Sequence, residues 1–235
     1  MDPALGSNGE LNQPYTDCIG EEFGGLSCAN SSIVNFLYDT DRFIEVVHFA
    51  TTHHRGQCYP ETDIPHVAHL WAVSDLARKL TTNYPGLDPE FAAIVSVLHD
   101  IIEDTDITHD ELVRRFGFEI ADGVLAMTRD RAKIETEQIP DCLIRIKEQP
   151  KEVWIAKISD RIYNLKRIAD GDVFSWGESY VKESRLICNE LLPLGGVAIA
   201  MLDLRIKQCE RVYSMNLSSD PEDPETPPLP RFFSS

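Results

Sequence analysis

Within Leu98-His99-Asp100-Ile101-Ile102-Glu103-Asp104-Thr105, the side chains of His99, Asp100, Glu103 and Asp104 can all ligate metal or move protons. On a helix, His99 lies one turn before Glu103 and Asp100 one turn before Asp104, so the four form two adjacent rows on one side. Three carboxylates so placed repel one another. The preceding run, Phe91-Ala92-Ala93-Ile94-Val95-Ser96-Val97-Leu98, is apolar nearly all round and reads as a buried helix. An imidazole and a carboxylate at the end of a buried helix need partners, and a divalent cation is the simplest one that satisfies both. The polar residues that follow have a local explanation. Thr108-His109-Asp110-Glu111 is a capping-box pattern that opens the next helix, and Gly117 after Phe116 reads as its stop. Capping does not account for His99 and Asp100.

A second segment, from Pro150 to Ile168, reads as an amphipathic helix in which Ile155, Ile158, Ile162 and Leu165 make one stripe. Lys157, Asp160, Arg161 and Asn164 fall on the other side, a face that could equally be ordinary solvated charge. Around these two segments helical periodicity dominates and alternating strands are lacking, which predicts an all-α fold. Thr40 or Asp41 can cap a helix through Phe43, Val47 and Ala50 that ends at His54-Arg55-Gly56. A loop then leads through Tyr59 to Pro65, which suits the first turn of a helix from His66 to about Leu80. The Phe91 helix, a helix at Asp110 and a stretch near Ile120–Met127 come next, and helices near Glu178–Leu192 and Val197–Tyr213 complete a bundle. Residues 1–38 read as an irregular extension, 39–215 as one domain, and the acidic, Pro-rich residues 216–235 as a disordered tail.

The balance of 22 Lys and Arg against 39 Asp and Glu gives a net charge of −17, which excludes a nucleic-acid groove. No apolar run is long enough to span a bilayer and no secretion-signal pattern opens the chain, so a cytoplasmic protein is expected. The cysteines at 18, 28, 58, 142, 188 and 209 contain no C-x-x-C pair and read as reduced thiols.

His69, His99-Asp100 and Asp160, spaced as H…HD…D, resemble the metal-binding signature of the HD-domain phosphohydrolases. The resemblance narrows with His54-Arg55-Gly56-Gln57, Pro65-His66-Val67-Ala68-His69, His99-Asp100-Ile101-Ile102-Glu103-Asp104-Thr105, Phe116-Gly117 and Lys157-Ile158-Ser159-Asp160-Arg161-Ile162-Tyr163-Asn164-Leu165. That order is similar to the hydrolase domain of the RelA/SpoT group, which removes the 3′-pyrophosphate from the alarmones (p)ppGpp. It covers about residues 41–190, and only 45 residues follow, so the chain resembles a small stand-alone alarmone hydrolase. The resemblance implies an HD-domain helical bundle. It also implies one divalent ion, Mn²⁺ in that group, held by His69, His99, Asp100 and Asp160, although this ligand set alone also suits zinc, iron or cobalt. Glu103 and Asp104 would be the catalytic acid–base pair, and Asn164 would contact the nucleotide, with Lys157, Arg161 and Arg167 offsetting phosphate charge. His54 would border the pocket. A homo-oligomer stays open.

The chain departs from the group in the loop Cys58-Tyr59-Pro60-Glu61-Thr62-Asp63-Ile64, which holds no basic residue where the group carries Arg and Lys for the purine. Tyr59 is expected to stack on the base instead, and His66 to be a pocket or surface residue. This departure keeps two alternatives in view: the same metal chemistry on a ppApp-type alarmone or on NADPH, and a catalytically silent nucleotide-binding HD domain.

Overall fold

The computed structural model describes residues 29–218 apart from Val173, and side chains within 40–214. The chain divides into two units, Met1–Arg42 and Phe43–Ser235, and every residue discussed from the loop at His54 onward lies in the second. Among the described residues the structure is all-α, with one isolated bridge between Cys58 and Pro65. The irregular character expected for residues 1–28 and the tail expected beyond Ser218 lie outside the described residues.

Helix α1 spans Ala29–His53, so the start expected at Thr40 or Asp41 is wrong by more than two turns. Its end agrees with expectation, with Gly56 at φ +82 where the chain turns away. Helix α2, His66–Thr81, begins directly after Pro65, whose fixed φ of −54 suits a helix entry. Helix α3, Pro89–Leu98, starts with Asp88 accepting from the N–H groups of Glu90 and Phe91, and all its residues from Ala92 onward are buried. The following helix is not continuous with it. α4 covers only Ile101–Asp104, and the ladder is interrupted at His99 and Asp100, where ψ of Asp100 opens to −3. Consecutive side chains on a regular helix diverge by about 100°, so this opening allows adjacent residues to aim at one point.

Helix α5, His109–Phe116, has Thr108 accepting from Glu111 N–H at its start and Gly117 at φ +89 at its end, as the capping pattern predicts. Helix α6 runs Phe118–Met127. Helix α7, Glu135–Lys147, is absent from the sequence expectation and carries Pro140 inside it. Its Ile139, Cys142, Leu143 and Ile146 nevertheless bury one face. Helices α8 (Lys151–Ala169), α9 (Gly177–Glu190) and α10 (Gly196–Ser218), with a 3₁₀ turn at Leu192–Leu194, complete the described chain. The close approach of α9 to α10 is set by Gly177, where a Cβ would stand 1.7 Å from the Tyr213 hydroxyl.

Helix α8 is the axis of the fold, touching α2, α3, α6, α7, α9 and α10. Ile155, Ile158 and Leu165 have no exposed surface. Lys157, Asp160 and Arg161, on the face that could have been solvated, are also buried. No described helix is long and apolar enough to cross a membrane.

Because α8 carries the polar centre as well as the core, its packing sets overall stability. Ile158→Ala is expected to lower the unfolding free energy by about 2–5 kcal/mol. The exposed Ile144→Ala should change it by less than about 0.5 kcal/mol. Denaturant unfolding checks both, and equal costs for the two would contradict this arrangement.

Candidate functional site

Three elements deliver the polar centre: the first turns of α2, the α3–α4 junction, and the middle of α8. His69 Nε2 and His99 Nε2 lie 3.4 Å apart, and each is 3.5 Å from Asp160 Oδ1. Asp100 Oδ2 closes the group at 3.2 Å from His99 Nε2 and 3.8 Å from His69 Nε2. Bonds of about 2.0–2.2 Å to one divalent ion place neighbouring ligand atoms about 2.8–3.6 Å apart, so the three atoms of His69, His99 and Asp160 fit an ion with little movement, with Asp100 beside the two imidazoles. The His99 ring is oriented for the purpose: its Nδ1 donates to the Ser96 carbonyl at 2.7 Å, which directs Nε2 at the centre. His69 is held differently. Its Nδ1 is buried without a hydrogen-bond partner, and the ring is clamped by Tyr59 stacked at 5.3 Å and by the Tyr163 edge at 4.8 Å.

Electrostatics follow from the same crowding. Burial pulls the His99 pKa down, but the Asp100 and Asp160 carboxylates override it and hold the imidazolium well above the usual range. Burial pushes both carboxyls up, yet His99 with His66 keeps Asp100 ionised well below the normal range, and Lys157 with the two ligand-side histidines does the same for Asp160. Burial lowers the His54 pKa, which favours the neutral ring.

The remaining expected residues separate into two groups. Glu103 and Asp104 stand one turn beyond the histidine–aspartate pair. Glu103 Oε2 accepts from Arg129 N–H at 3.1 Å, and Asp104 Oδ1 pairs with Arg131 at 3.2 Å. Both line a cavity of about 470 Å³ together with His53, Gln57, Thr105, Asp106 and Arg131. Lys157 Nζ reaches Asp160 Oδ2 at 3.4 Å, and Asn164 donates from Nδ2 to Asp160 Oδ1 at 2.6 Å, so both touch the centre through Asp160.

Of the other expectations, those for Tyr59, Arg161, Arg167 and His66 need correction. Tyr59 offers no open face to a purine, because it is buried with its ring against His69 and Tyr163 and its hydroxyl donating to Asn164 at 2.8 Å. Arg161 is 0% exposed, stacked on Tyr180 at 3.9 Å and 3.6 Å from Glu183, so it braces α8 against α9 and cannot reach a phosphate. Arg167 donates to the Pro60 carbonyl at 2.9 Å and pairs with Asp172, which ties down the loop at Tyr59. His54 is buried beside the pocket-lining Gln57, to which its Nδ1 bonds at 2.7 Å. His66, expected in the pocket or at the surface, is buried with Nε2 3.1 Å from Asp100 Oδ2.

No family model matches the chain. Individual proteins do. The guanosine-3′,5′-bis(diphosphate) 3′-pyrophosphohydrolase MESH1 of Danio rerio is 30% identical over 166 residues, covering 67% of this chain and 81% of the relative. The chain belongs to the MESH1 family. The Homo sapiens MESH1 is 27% identical over 150 residues, covering 60% of this chain and 78% of its own length. The fold agrees as well: the solved structure of a metazoan orthologue of SpoT that hydrolyses ppGpp superposes with a TM-score of 0.60 at 21% identity, covering 71% of this chain and 94% of that one.

Sequence reasoning missed several residues that this MESH1-family chain places at the site. Gln57 donates to the Asp104 carbonyl at 2.8 Å, and its position in the His54-Arg55-Gly56-Gln57 string was the available signal. Arg129 and Arg131 had a weaker one, a basic pair in the loop after α6 of an acidic chain.

A divalent ion entering this centre would displace the proton that the carboxylates stabilise on His99. Affinity for a divalent ion should therefore rise with pH until the raised His99 pKa is passed. About one proton should be released per ion below it. Calorimetric titration in buffers of different ionisation enthalpy measures this; binding without proton release at pH 6 would contradict it.

Proposed function

We propose that this chain is a Mn²⁺-dependent hydrolase that removes the 3′-pyrophosphate of a ppGpp-type alarmone, working in the cytosol from a catalytic domain spanning residues 39–215. The observation that carries the reading is the approach of His69 Nε2, His99 Nε2 and Asp160 Oδ1 to 3.4–3.5 Å, with Asp100 beside them and a carboxylate pair one turn away. The MESH1 relatives, whose name gives this reaction, supply the substrate class.

The bound ion would be held by His69, His99, Asp100 and Asp160, and its chemistry is to neutralise a phosphoryl oxygen and make water acidic enough to attack near neutral pH. The chain's own residues do the rest. Glu103 has Oε2 fixed by the Arg129 N–H, leaving its carboxylate oriented to accept the proton of the attacking water. Water adds to the phosphorus next to the ribose, and the bond between that phosphorus and the 3′-oxygen breaks. Asp104, its main chain held by Gln57, is placed to return a proton to the departing 3′-oxygen. ppGpp then yields GDP and pyrophosphate. Lys157, buried against Asp160, holds the ligand carboxylate and puts a positive charge beside the centre. Asn164 is held by the Tyr59 hydroxyl and by Asp160, and would meet a nucleotide with the donor and acceptor capacity those bonds leave.

That last contact favours a second reading of the substrate. The loop at residues 58–64 has no basic side chain, and Tyr59 is turned inward, so the base is contacted differently from a site built on Arg and Lys. A ppApp-type alarmone or NADPH would meet the same metal chemistry. Retention of Glu103 and Asp104 at the cavity argues against a silent domain.

The test is parallel turnover by the Mn²⁺-loaded protein: pyrophosphate from ppGpp and ppApp, and phosphate from NADPH. Release from ppGpp that falls by about 10²–10⁴ in Glu103→Gln is the expected result. No release from ppGpp, or turnover unchanged by Glu103→Gln, would overturn the assignment.

A further inference from the structure

Glu103 is held by the main chain, and that piece of main chain is itself held from behind. Glu103 Oε2 accepts from the Arg129 N–H at 3.1 Å. The carbonyl of the same peptide group belongs to Thr128, which follows the last turn of α6 with an extended backbone at ψ 132. From α7, Arg145 Nη2 donates to that carbonyl at 2.7 Å, and Cys142 Sγ stands 3.3 Å from it. A peptide group is planar, so fixing its oxygen fixes the direction of its N–H. The Arg129 side chain pairs with Glu183 of α9 at 3.7 Å, which anchors the same residue on another side.

Arg145 is itself fixed in place. Its Nε and Nη2 face Asp141 Oδ2 at 3.0 and 2.9 Å, and its Nη1 donates to the Leu125 carbonyl, so the guanidinium sits as a fork over the end of α6. A cation at a helix C-terminus is ordinary capping when it ends there. Here the capped carbonyl leads one peptide further to Glu103. Positive charge on a carbonyl oxygen polarises the peptide and makes its N–H a stronger donor. The receiving carboxylate lines the cavity, and its other oxygen, Oε1, lies 3.9 Å from Arg131.

We infer that Arg145 is a positioning residue for the reaction: through the Thr128–Arg129 peptide it fixes the Glu103 carboxylate, with Oε2 bound and Oε1 left to take the proton of the attacking water. The inference rests on the proposed role of Glu103 as general base. Arg145 is not among the residues that line the cavity, so its effect falls on the chemical step and not on substrate affinity. Its side chain is 29% exposed, so a polar replacement there opens no hole in the core.

The experiment measures ppGpp turnover by the full, Mn²⁺-loaded chain and its variants, with denaturant unfolding to show that each is folded. Arg145→Gln is expected to lower kcat by about 10–100-fold with KM unchanged. Arg145→Lys, which keeps positive charge at the two carbonyls, should recover part of that loss. Lys147→Ala, on the same helix and paired only with Glu190 at 2.6 Å, should leave kcat as it is. In the Glu103→Gln protein, Arg145→Gln should cost no further activity, because the group it positions is already gone. An Arg145→Gln enzyme with wild-type kcat, a loss confined to KM, or the same loss with and without the Glu103 carboxylate overturns the inference. If the Arg145 variants do not fold, nuclear magnetic resonance of the Arg129 amide proton carries the test: a resonance that moves upfield in Glu103→Gln is expected, and one that stays in place overturns it. Full turnover by Glu103→Gln refutes the general base and this inference with it, whereas an inactive Glu103→Gln beside a fully active Arg145→Gln refutes this inference alone.

Discussion

His69, His99 and Asp160, buried with ligand atoms 3.4–3.5 Å apart, and Asp100 at 3.2–3.8 Å from the two imidazoles are the constraint around which this molecule is organised. Such groups lose their hydration on folding and repel one another unless a cation or proton lies between them. The local structure is bent to accommodate this. The α3–α4 ladder opens at Asp100, which lets neighbouring residues converge where a regular helix would splay them. Tyr59 stacks on His69 and bonds Asn164, which in turn bonds Asp160, so a loop residue and a helix residue hold His69 and Asp160 between them.

The charged residues of α8 follow from the same demand. Lys157 lies against Asp160, and Arg161 lies against Glu183 and Tyr180 of α9, all of them at buried or partly buried positions. An ionised carboxylate at that depth is retained when positive charge and hydrogen bonds surround it, and removing one member of such a group strands the others. Net charge has a further consequence. At −17 the chain repels a polyanion at a distance, so binding of a nucleotide would rest on the proposed metal centre and on local positive charge and not on long-range attraction. Added salt should therefore not slow association.

Much of this was legible in the sequence, and the failures have physical causes. The bundle and the capping at Thr108 follow from periodicity and motif spacing, because burial and helix ends impose local residue types, and the residues that the resemblance offers as ligands lie near one another in the fold. The entry of α1 at Ala29 was missed because Thr40 and Asp41 look like caps although the chain is helical through them. Helix α7, with Pro140 inside it, was missed as well. The inward turn of Tyr59 and the burial of Arg161 depend on tertiary neighbours, His69 and Tyr163 for one and Glu183 and Tyr180 for the other, that no spacing rule reveals. His66 illustrates the limit most clearly. Its distance of three residues from His69 is visible in the sequence, but its contact with Asp100 exists only once α2 and the α3–α4 junction are folded together.

The most direct test of the account is the anomalous diffraction of crystals grown with Mn²⁺. The account predicts a peak within bonding distance of His69 Nε2, His99 Nε2, Asp100 Oδ2 and Asp160 Oδ1. A peak that lacks either histidine or Asp160 as a ligand, or an absence of any peak among these four residues, would contradict it.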